Sequence, residues 1–434
     1  QELGDGFANW GAIGQTGALL SGQGFTLKGS GTAAAKQNYT FVGKPNNGTI
    51  GLNISLNQSY LVGNPYPSAL DADEFIKDNI KDGAGRAATN IFNGALYFWD
   101  HFGGQTHILG QYVGGYATYT LMGGVVALSN DPLTANNGSN GIKTPKRYIP
   151  VAQGFFIGTG PTTDLTTNNP GLSTPITGGT ITFKNSQRAF KVESAVDSQF
   201  FRTQNGSETV DTVNDERQKI RLLFESPNQL YRQILVGVDE NSTNSFDIGY
   251  DAPMIDLNTD DLYWNISNSK NSIQAVPNFN SDQIIPLGIR TSVEGISTIK
   301  IAGLENISES TNVYIHDRET GLDHNIRNSE FAISLPIGEY DNRFSLRFSG
   351  QTLDVNVPVN NNPIIYFTNT DSSLNIRNTN LMTNLKLVTL FQLQQVFKMS
   401  YDKSKIALLT TVINWDLYKK SSQYFPEEIG RAHV

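Results

Sequence analysis

Short β-type runs fill the first part of the chain, up to about residue 190. Hydrophobic residues in these runs either alternate with polar ones or follow each other over a few positions, and Gly and aromatic residues are frequent. Turn sequences such as PNNG (45–48) and ANNGSNG (135–141) separate the runs, which is typical of strands joined by tight turns. We therefore predict strands in residues 37–43, 48–56, 94–102, 116–122, 148–159 and 179–187.

The alternation becomes cleaner from residue 191 to residue 352. In KIRLLFES (219–226) polar and apolar positions take turns, as in a strand with one face buried. Such signals recur at intervals of about 8–15 residues with no helical pattern between them, which predicts a β-sandwich. The other runs of this kind are residues 232–239, 297–304, 312–317, 330–336 and 343–350.

One helix interrupts the first part of the chain, in residues 69–80. It follows the sequence LVGNPYPS, whose two prolines hold the backbone extended before the helix. Ser68, followed three residues later by Asp71, resembles a capping box, so we expect the helix to begin at Ser68 or at the next residue. The apolar spacing predicts that Phe75 is buried.

Three carboxylates, Asp71, Asp73 and Glu74, lie in the first two turns of this predicted helix. The helix dipole favours negative charge there, so a rigid corner between strand and helix accounts for them. The alternative is an acidic catalytic or metal site. That alternative requires the three side chains to converge on one shared pocket.

The C-terminal part of the chain lacks these regular patterns at first. Residues 353–363, LDVNVPVNNNP, are rich in Asn and contain two prolines, which predicts a linker. Residues 364–434 then contain further β-like runs. The expected fold is all-β, with two consecutive β-sandwich-like domains, 1–190 and 191–352, and a truncated small β-sandwich, 364–434. The first domain carries the one inserted short helix.

Composition narrows the range of partners. The chain has 32 basic and 40 acidic residues and a formal net charge of −8, which argues against nucleic acid as a partner because phosphates attract Lys and Arg patches. It has no cysteine, so disulfides and thiolate chemistry are excluded. No apolar run reaches about 18 residues, so we predict no transmembrane segment.

Catalytic candidates are few, and we predict no catalytic residue. Asp100, His101 and His107 in WDHFGGQTH (99–107) are residue types suited to a general base or a metal ligand. Adjacent strand residues point to opposite faces, however, so Asp100 and His101 diverge. No nucleophile motif of the form G-x-S-x-G is present.

A weak calcium candidate lies in the sequence DLNTDD. Asp256, Asn258 and Asp260 are spaced like the first, third and fifth positions of a calcium loop. The sixth position, where such loops need Gly, is Asp261, and no Glu occupies the twelfth. An acidic surface turn is the alternative, and we predict no other cofactor.

Aromatic residues among glycines give a weak candidate for glycan binding. Trp99, Tyr112, Tyr116 and Tyr119 are of the kind that stacks on sugar rings when it is exposed. Aromatic residues in strands also fill cores and pair across strands. A groove lined by coplanar aromatic rings would favour glycan binding, whereas burial would favour the core.

Several longer stretches resemble large Bacteroidetes proteins that the type IX secretion system exports. These are YLVGNPYPSALDADEFI, GALYFWDH, YIPVAQGFFI, QKIRLLFESPNQLYRQILVGVDENSTNSFDIGYDAPM and LPIGEYDNRFSLRF. SSLNIRN and LKLVTLFQLQQVFKMSY are similar to the opening of the type A C-terminal sorting domain. The resemblance implies an extracellular or outer-membrane surface-attached protein. Its sorting domain would be a small β-sandwich that the export machinery recognises and that is cleaved after translocation.

The end of the chain departs from that family. A Gly-containing turn after VTLF and a closing G-[VI]-Y-[IV]-V-K strand are expected, but residues 392–395 and 410–434 have neither. The last residues, EIGRAHV, resemble translated sequencing-adapter DNA. We therefore hypothesise a partial reading frame with a frameshift near Leu409. A resequenced gene that encodes residues 415–434 in frame, followed by a stop codon, would disprove this.

The function expected from these observations is non-enzymatic. We expect an extracellular stalk or binding region of an adhesin-like surface protein, with the type IX export machinery and a glycan or other surface ligand as partners. The alternative is a carbohydrate-binding accessory region of a secreted hydrolase whose catalytic domain lies upstream. Family resemblance does not decide between these activities.

Overall fold

A computed structural model describes most of the chain before residue 350 and two short segments after it. Strands account for 46% of the structure, and the single α-helix of the described part has 8 residues, which confirms the all-β class. In this part of the chain no helix is long and apolar enough to cross a membrane. The described residues are 2–3, 13, 17–26, 40, 42–103, 113–128, 143–160, 175–192, 198, 200–201, 215–349, 364–368 and 373–377.

The strands before residue 190 form three antiparallel sheets. A six-stranded sheet has the order β1-β3-β9-β5-β6-β7, a three-stranded sheet the order β11-β4-β8, and β10 pairs with β2. The helix α1 (Ala72–Asn79) follows β4 directly. The strands are β1 (Glu2–Leu3), β2 (Ile50–Ile54), β3 (Ser59–Gly63), β4 (Ala69–Asp71), β5 (Leu96–Gly103), β6 (Val113–Thr120), β7 (Gly123–Val125), β8 (Tyr148–Ile149), β9 (Gly154–Gly158), β10 (Gly179–Phe183) and β11 (Arg188–Ala189).

A single 11-stranded sheet follows. Ten strands lie in the order β20-β19-β22-β17-β15-β16-β13-β12-β18-β21, and β14 pairs with β16 beside them. All of these pairs are antiparallel except β13 with β16. The strands are β12 (Lys219–Glu225), β13 (Tyr231–Val238), β14 (Ala252–Pro253), β15 (Asp261–Ile266), β16 (Ser269–Val276), β17 (Ile284–Thr291), β18 (Gly295–Glu305), β19 (Tyr314–Asp317), β20 (Leu322–Asn325), β21 (Phe331–Leu335) and β22 (Gly338–Arg347).

The two ends of this sheet approach each other. The ring of Phe331, on the last strand β21, lies 5.6 Å from His324 of β20 and 5.9 Å from Phe344 of β22, measured between centroids. The sheet therefore curls into a nearly closed, barrel-like arrangement. Such closure buries one face of every strand around a common core.

The helix α1 begins later than its sequence predicts. Residues 69–71 pair with β8 and β11 as a strand, so the prediction of a start at Ser68 or Ala69 is wrong. Asp71 is the N-cap, and its carboxylate accepts hydrogen bonds from the backbone N–H groups of Asp73 and Glu74. Capping preference depends on the local sequence and takes no account of this tertiary pairing, which moves the N-cap from Ser68 to Asp71.

The buried side of α1 packs against an aromatic cluster. The residues on one side of the amphipathic helix are buried: Ala72, Phe75, Ile76 and Asn79. Phe75 is fully buried, as predicted, and its ring stacks on Phe183 at 5.0 Å and meets Phe155 edge-on at 5.6 Å. Aromatic pairs in these arrangements are worth about 0.5–1.5 kcal/mol beyond the area that they bury.

Contacts cross the position where two domains are predicted to meet. The chain divides into two compact units, Gln1–Thr352 and Leu353–Val434. Within the first, Leu121 N–H donates to the Gly249 carbonyl at 2.9 Å, and Gly249 N–H donates to the Asn93 carbonyl at 3.1 Å. Buried residues from both sides belong to one hydrophobic cluster. The division into independently folding domains at residue 190 stays a prediction.

The second unit contributes one described element. Strands β23 (Ile364–Thr368) and β24 (Ser373–Arg377) pair antiparallel as a hairpin. The predicted linker 353–363 and the sequence after residue 377, including the hypothesised frameshift near Leu409, lie outside the described residues.

Candidate functional site

Two aromatic side chains form a partly exposed surface on the six-stranded sheet. Trp99 of β5 and Tyr116 of β6 are directly opposite each other across the strand pair, and both are half-buried. Their ring centroids lie 5.1 Å apart with an angle of 67° between the planes. Tyr116 in turn meets Phe156 edge-on at 5.5 Å. We call Trp99 and Tyr116 the aromatic pair.

The aromatic pair lies on a face of the sheet that also carries core residues: Tyr116 packs against the hydrophobic cluster, and Tyr97, on the same face as Trp99, is 1% exposed. Neighbouring residues of a strand point to opposite faces, so Phe98 and Asp100 lie on the other side of the sheet from Trp99. Both are buried. Both faces of β5 therefore carry buried residues, and Trp99 is a half-buried position among them.

Tyr119 does not belong to this surface, although the sequence grouped it there. It is three residues from Tyr116 and so lies on the opposite face, where it is 5% exposed. Its hydroxyl donates to Asp73 Oδ1 at 2.8 Å. Burial and the Asp73 carboxylate raise the pKa of Tyr119 well above its usual value. Tyr112, the fourth predicted member, lies outside the described residues.

A carboxylate adjoins the aromatic pair. The backbone N–H of Tyr116 donates to Asp256 Oδ2 at 3.3 Å. Burial and the charge of Asp256 raise the pKa of the Tyr116 hydroxyl to about 12, so this phenol stays protonated near neutral pH. The site thus combines two aromatic rings, a neutral hydroxyl and a carboxylate, a mixture suited to binding polar ligands with apolar faces.

A buried arginine fixes the position of Asp256. Arg232 of β13 is 2% exposed and forms a bidentate pair with Asp261, which is fully buried, at 2.7 and 2.9 Å. A second nitrogen contact reaches Asp256 Oδ1 at 3.2 Å. Burial lowers the pKa of Arg232, but the two carboxylates outweigh it and raise that pKa above its usual range. The pair fastens the acidic turn to the sheet.

The three calcium candidates of that turn do not act together. Asp260 is buried and accepts hydrogen bonds from Asn228 Nδ2 at 2.6 Å and from the Ser292 backbone N–H. Asp256 accepts a hydrogen bond from Arg232, and Asn258 Oδ1 accepts one from the Thr259 backbone N–H at 2.6 Å. The described residues contain no group of three or more His, Cys, Asp or Glu side chains arranged to hold a metal. Each of the three side chains thus accepts hydrogen bonds from protein donors, and calcium binding at this turn stays a prediction.

The acidic cluster at the start of α1 divides between two arginines. Arg147 binds Asp71 through two contacts of 2.9 Å, and its Nε lies 3.5 Å from Asp73. Glu74 turns instead to Arg86, at 2.7 Å. Burial raises the pKa of Asp73 above its usual value, and the charge of Arg147 opposes that shift. The three acids do not share one pocket, which supports the structural corner over a catalytic or metal site.

Sequence reasoning missed the buried arginine of this region. Arg232 lies on the same strand face as Ile234 and Val236, which are fully buried. A basic residue that alternates in register with apolar residues of a strand is the signal that could have identified it. The partner carboxylates lie in the DLNTDD turn, which the sequence did single out, although for a different role.

A second acidic pair, the half-buried Asp247 and the buried Asp251, lies near the position where the two parts of this unit meet. Asp251 is fully buried and accepts backbone hydrogen bonds from Ala275 and Asp247, each at 2.7 Å. Asp247 accepts from the Thr243 backbone N–H at 2.6 Å. Burial raises the pKa of Asp247 to about 6, with a further contribution from Asp239. Burial also raises the pKa of Asp251 well above its usual value.

This pair predicts a stability that increases on mild acidification. A folded-state pKa above the unfolded value of about 3.9 means that the folded chain binds the proton more tightly. The contribution of Asp247 is therefore complete below about pH 4 and is lost as the pH rises through about 6. Between pH 7.5 and pH 5 we expect Asp247 to add about 1 kcal/mol to the free energy of unfolding, measured by urea titration.

The matched control is Asp247→Asn, which keeps the acceptor oxygen but does not titrate. Its free energy of unfolding should change less between pH 7.5 and pH 5 than that of the native chain. An equal pH dependence in both proteins would contradict the prediction. Other carboxylates with shifted pKa values, such as Asp73, Asp215 and Glu305, are the same in both proteins, so the difference between the two pH dependences reports on residue 247.

Comparison with known proteins finds one family. A family model described as a domain of unknown function (DUF8693) matches residues 3–348. No curated protein and no solved structure matches the chain. The matched region contains the aromatic pair, the buried arginine and the helix corner.

Proposed function

The chain belongs to the DUF8693 family, a domain of unknown function, and from this premise we propose that residues 1–352 form a non-enzymatic binding and stalk region. In this proposal the protein is an adhesin-like surface protein that the type IX system exports, and residues 364–434 carry its sorting signal. The aromatic pair is the observation that carries the binding part of the proposal. It offers a rigid, partly accessible contact surface.

Close packing fixes the orientation of the aromatic pair. A Cβ atom on Gly114 would lie 2.6 Å from Trp99 Cζ2, so the absence of a side chain there lets the indole lie across the neighbouring strand. Tyr116 is held between Trp99 and Phe156. Rigid aromatic anchors bind with little loss of conformational entropy.

The charged groups of this unit support a non-enzymatic role. Acids that the sequence marked as candidates for chemistry bind arginines or backbone N–H groups. Asp71 pairs with Arg147, and Asp256 pairs with Arg232. Such pairs hold strands and turns together, and a general acid or base needs instead to reach a substrate.

The second candidate is a carbohydrate-binding accessory region. The half-buried rings of Trp99 and Tyr116 favour it, because sugars present an apolar ring face that stacks on aromatic side chains. The angle of 67° between Trp99 and Tyr116 leaves no coplanar platform. We therefore expect contact with one sugar ring rather than with an extended flat chain.

A glycan array with the full chain tests the carbohydrate candidate. We expect Trp99→Ala to weaken any binding about tenfold or more, equivalent to about 1.4 kcal/mol, because the stacking surface is lost. Phe190→Ala is the matched control, since that ring is 96% exposed and lies elsewhere on the sequence. Absence of binding to every glycan, or equal loss in both variants, would contradict this candidate.

Export and adhesion are tested separately. Residues 353–434 fused to a periplasmic reporter should deliver it to the medium or the cell surface in a Bacteroidetes host with an intact type IX system, and not in a host that lacks it. Retention in both hosts would reject the sorting role. Cells that display the full chain should adhere better to host-matrix or cell surfaces than cells that display Trp99→Ala, and equal adhesion would reject the role of the aromatic pair.

A further inference from the structure

A lysine and a carboxylate are buried together on the core side of the six-stranded sheet. Lys143 Nζ lies 3.1 Å from Asp100 Oδ1, and the two side chains are 4% and 3% exposed. Two aromatic rings lie near this pair. Lys143 Nζ lies 5.9 Å from the ring centroid of Phe201, which stacks on Phe98 at 5.1 Å.

Such surroundings disfavour separated charges. A buried ion pair loses the hydration of both ions and regains it only through very good geometry and further hydrogen bonds. Condensation to an amide removes both charges at once, because one ammonium and one carboxylate together give one neutral amide and one water molecule.

We propose that Lys143 and Asp100 condense to an intramolecular amide bond. Nζ gives up two of its three protons and forms a new N–C bond to Cγ of the carboxylate. One carboxylate oxygen leaves with those two protons as a water molecule, so one ammonium and one carboxylate give one amide and one water. No oxidant, reductant or further reactant takes part.

The fold supplies the proximity that this reaction requires in water. Amide formation between free groups is unfavourable in dilute solution, but fixed neighbours at van der Waals distance gain a very large effective concentration. Asp100 is held by β5, in the middle of the six-stranded sheet. Exclusion of water from the pair also protects the amide from hydrolysis once it has formed.

The bond would serve as a covalent staple in a chain that has no cysteine. It joins β5 to the segment that enters β8, and so closes a loop between residues 100 and 143. Closing a loop of this size limits the unfolded chain in the same way as a disulfide does. Such a staple suits a protein under mechanical load, but the inference rests on the geometry of Lys143 and Asp100 and not on the proposed binding function.

Mass spectrometry of the full-length chain tests whether the amide between Lys143 and Asp100 forms. We expect an intact mass lower than that of the sequence by one water molecule, and a protease digest that contains a branched peptide joining Lys143 to Asp100. Separate, unmodified peptides for both residues in the native protein would overturn the proposal. This outcome can be read from the native chain alone, whether or not any variant folds.

Lys143→Arg is the control, because arginine keeps the positive charge but forms no amide. Its intact mass should equal that of its sequence, and the branched peptide should be absent. A cyclic imide at the sequence Asp82–Gly83 would also remove one water. That loss would persist in Lys143→Arg, so an unchanged mass deficit in the variant counts against the proposed amide.

Discussion

Arg232→Met lowers the free energy of unfolding by about 3–5 kcal/mol, the range seen when one member of a buried ion pair is removed. Methionine replaces much of the packing volume of arginine but none of its charge. The variant leaves Asp261 fully buried without the bidentate partner at 2.7 and 2.9 Å. Urea or guanidinium titration of the full chain measures the change.

Two further variants separate the charge from other effects. Arg318→Met removes an exposed arginine and should change the stability by no more than about 0.5 kcal/mol. Asp261→Asn added to Arg232→Met removes the orphaned charge and should restore part of the loss. A loss for Arg232→Met as small as that for Arg318→Met would show that the buried pair contributes little.

Arg232 is the cation that the acidic turn contacts, and the sequence pattern did not reveal it. Spacing alone placed Asp256, Asn258 and Asp260 at alternate positions of a turn, and alternate acids suit a cation. The cation that this turn meets is a guanidinium from a strand about 25 residues earlier, and no local pattern encodes that distance. Local spacing specifies which residues are available, and the tertiary fold decides what they bind.

Strand prediction succeeded where one face of the strand meets solvent. Residues 219–226 and 343–350 alternate visibly, and the structure places β12 and β22 there. It failed for β15 and β16, in which nearly every residue is buried. Burial on both faces removes the alternation, and the sequence SKNSIQAV buries polar side chains as well. Periodicity cannot identify such central strands.

The aromatic site could be predicted from the sequence only in part, because the pattern within one strand does not show how strands pair. Alternation along β5 and β6 determines which rings share a face, but it requires the pairing register. The register puts Trp99 opposite Tyr116 and sends Tyr119 to the core. The buried Phe156, which contacts Tyr116, comes from β9, a strand more than 50 residues later in the chain than β5, so only the sheet order could reveal this contact.

Gly94→Ala lowers the free energy of unfolding by about 3 kcal/mol, the sum of a left-handed backbone cost of about 1–2 and an overpacking cost of about 1–3 kcal/mol. Gly94 has φ +81°, and a Cβ there would lie 2.3 Å from the Cα of Gly249. The backbone at this contact cannot move apart easily, because Gly249 forms backbone hydrogen bonds with Asn93 and Leu121. Gly321→Ala is the control: φ is +67° but the space around it is open, so about 1–2 kcal/mol is expected.

The location of the Gly94 contact makes it a test of the domain division. Gly94 precedes residue 190 and Gly249 follows it, so strain at the contact acts on both parts. Trp99 and Trp264 report on the two sides, and chains that retain one or the other tryptophan allow each side to be followed by fluorescence. If residues 1–352 unfold as one cooperative unit, Gly94→Ala lowers both denaturation midpoints together. If the parts fold independently, as the sequence predicts, the Trp264 signal keeps its native midpoint while the Trp99 signal shifts.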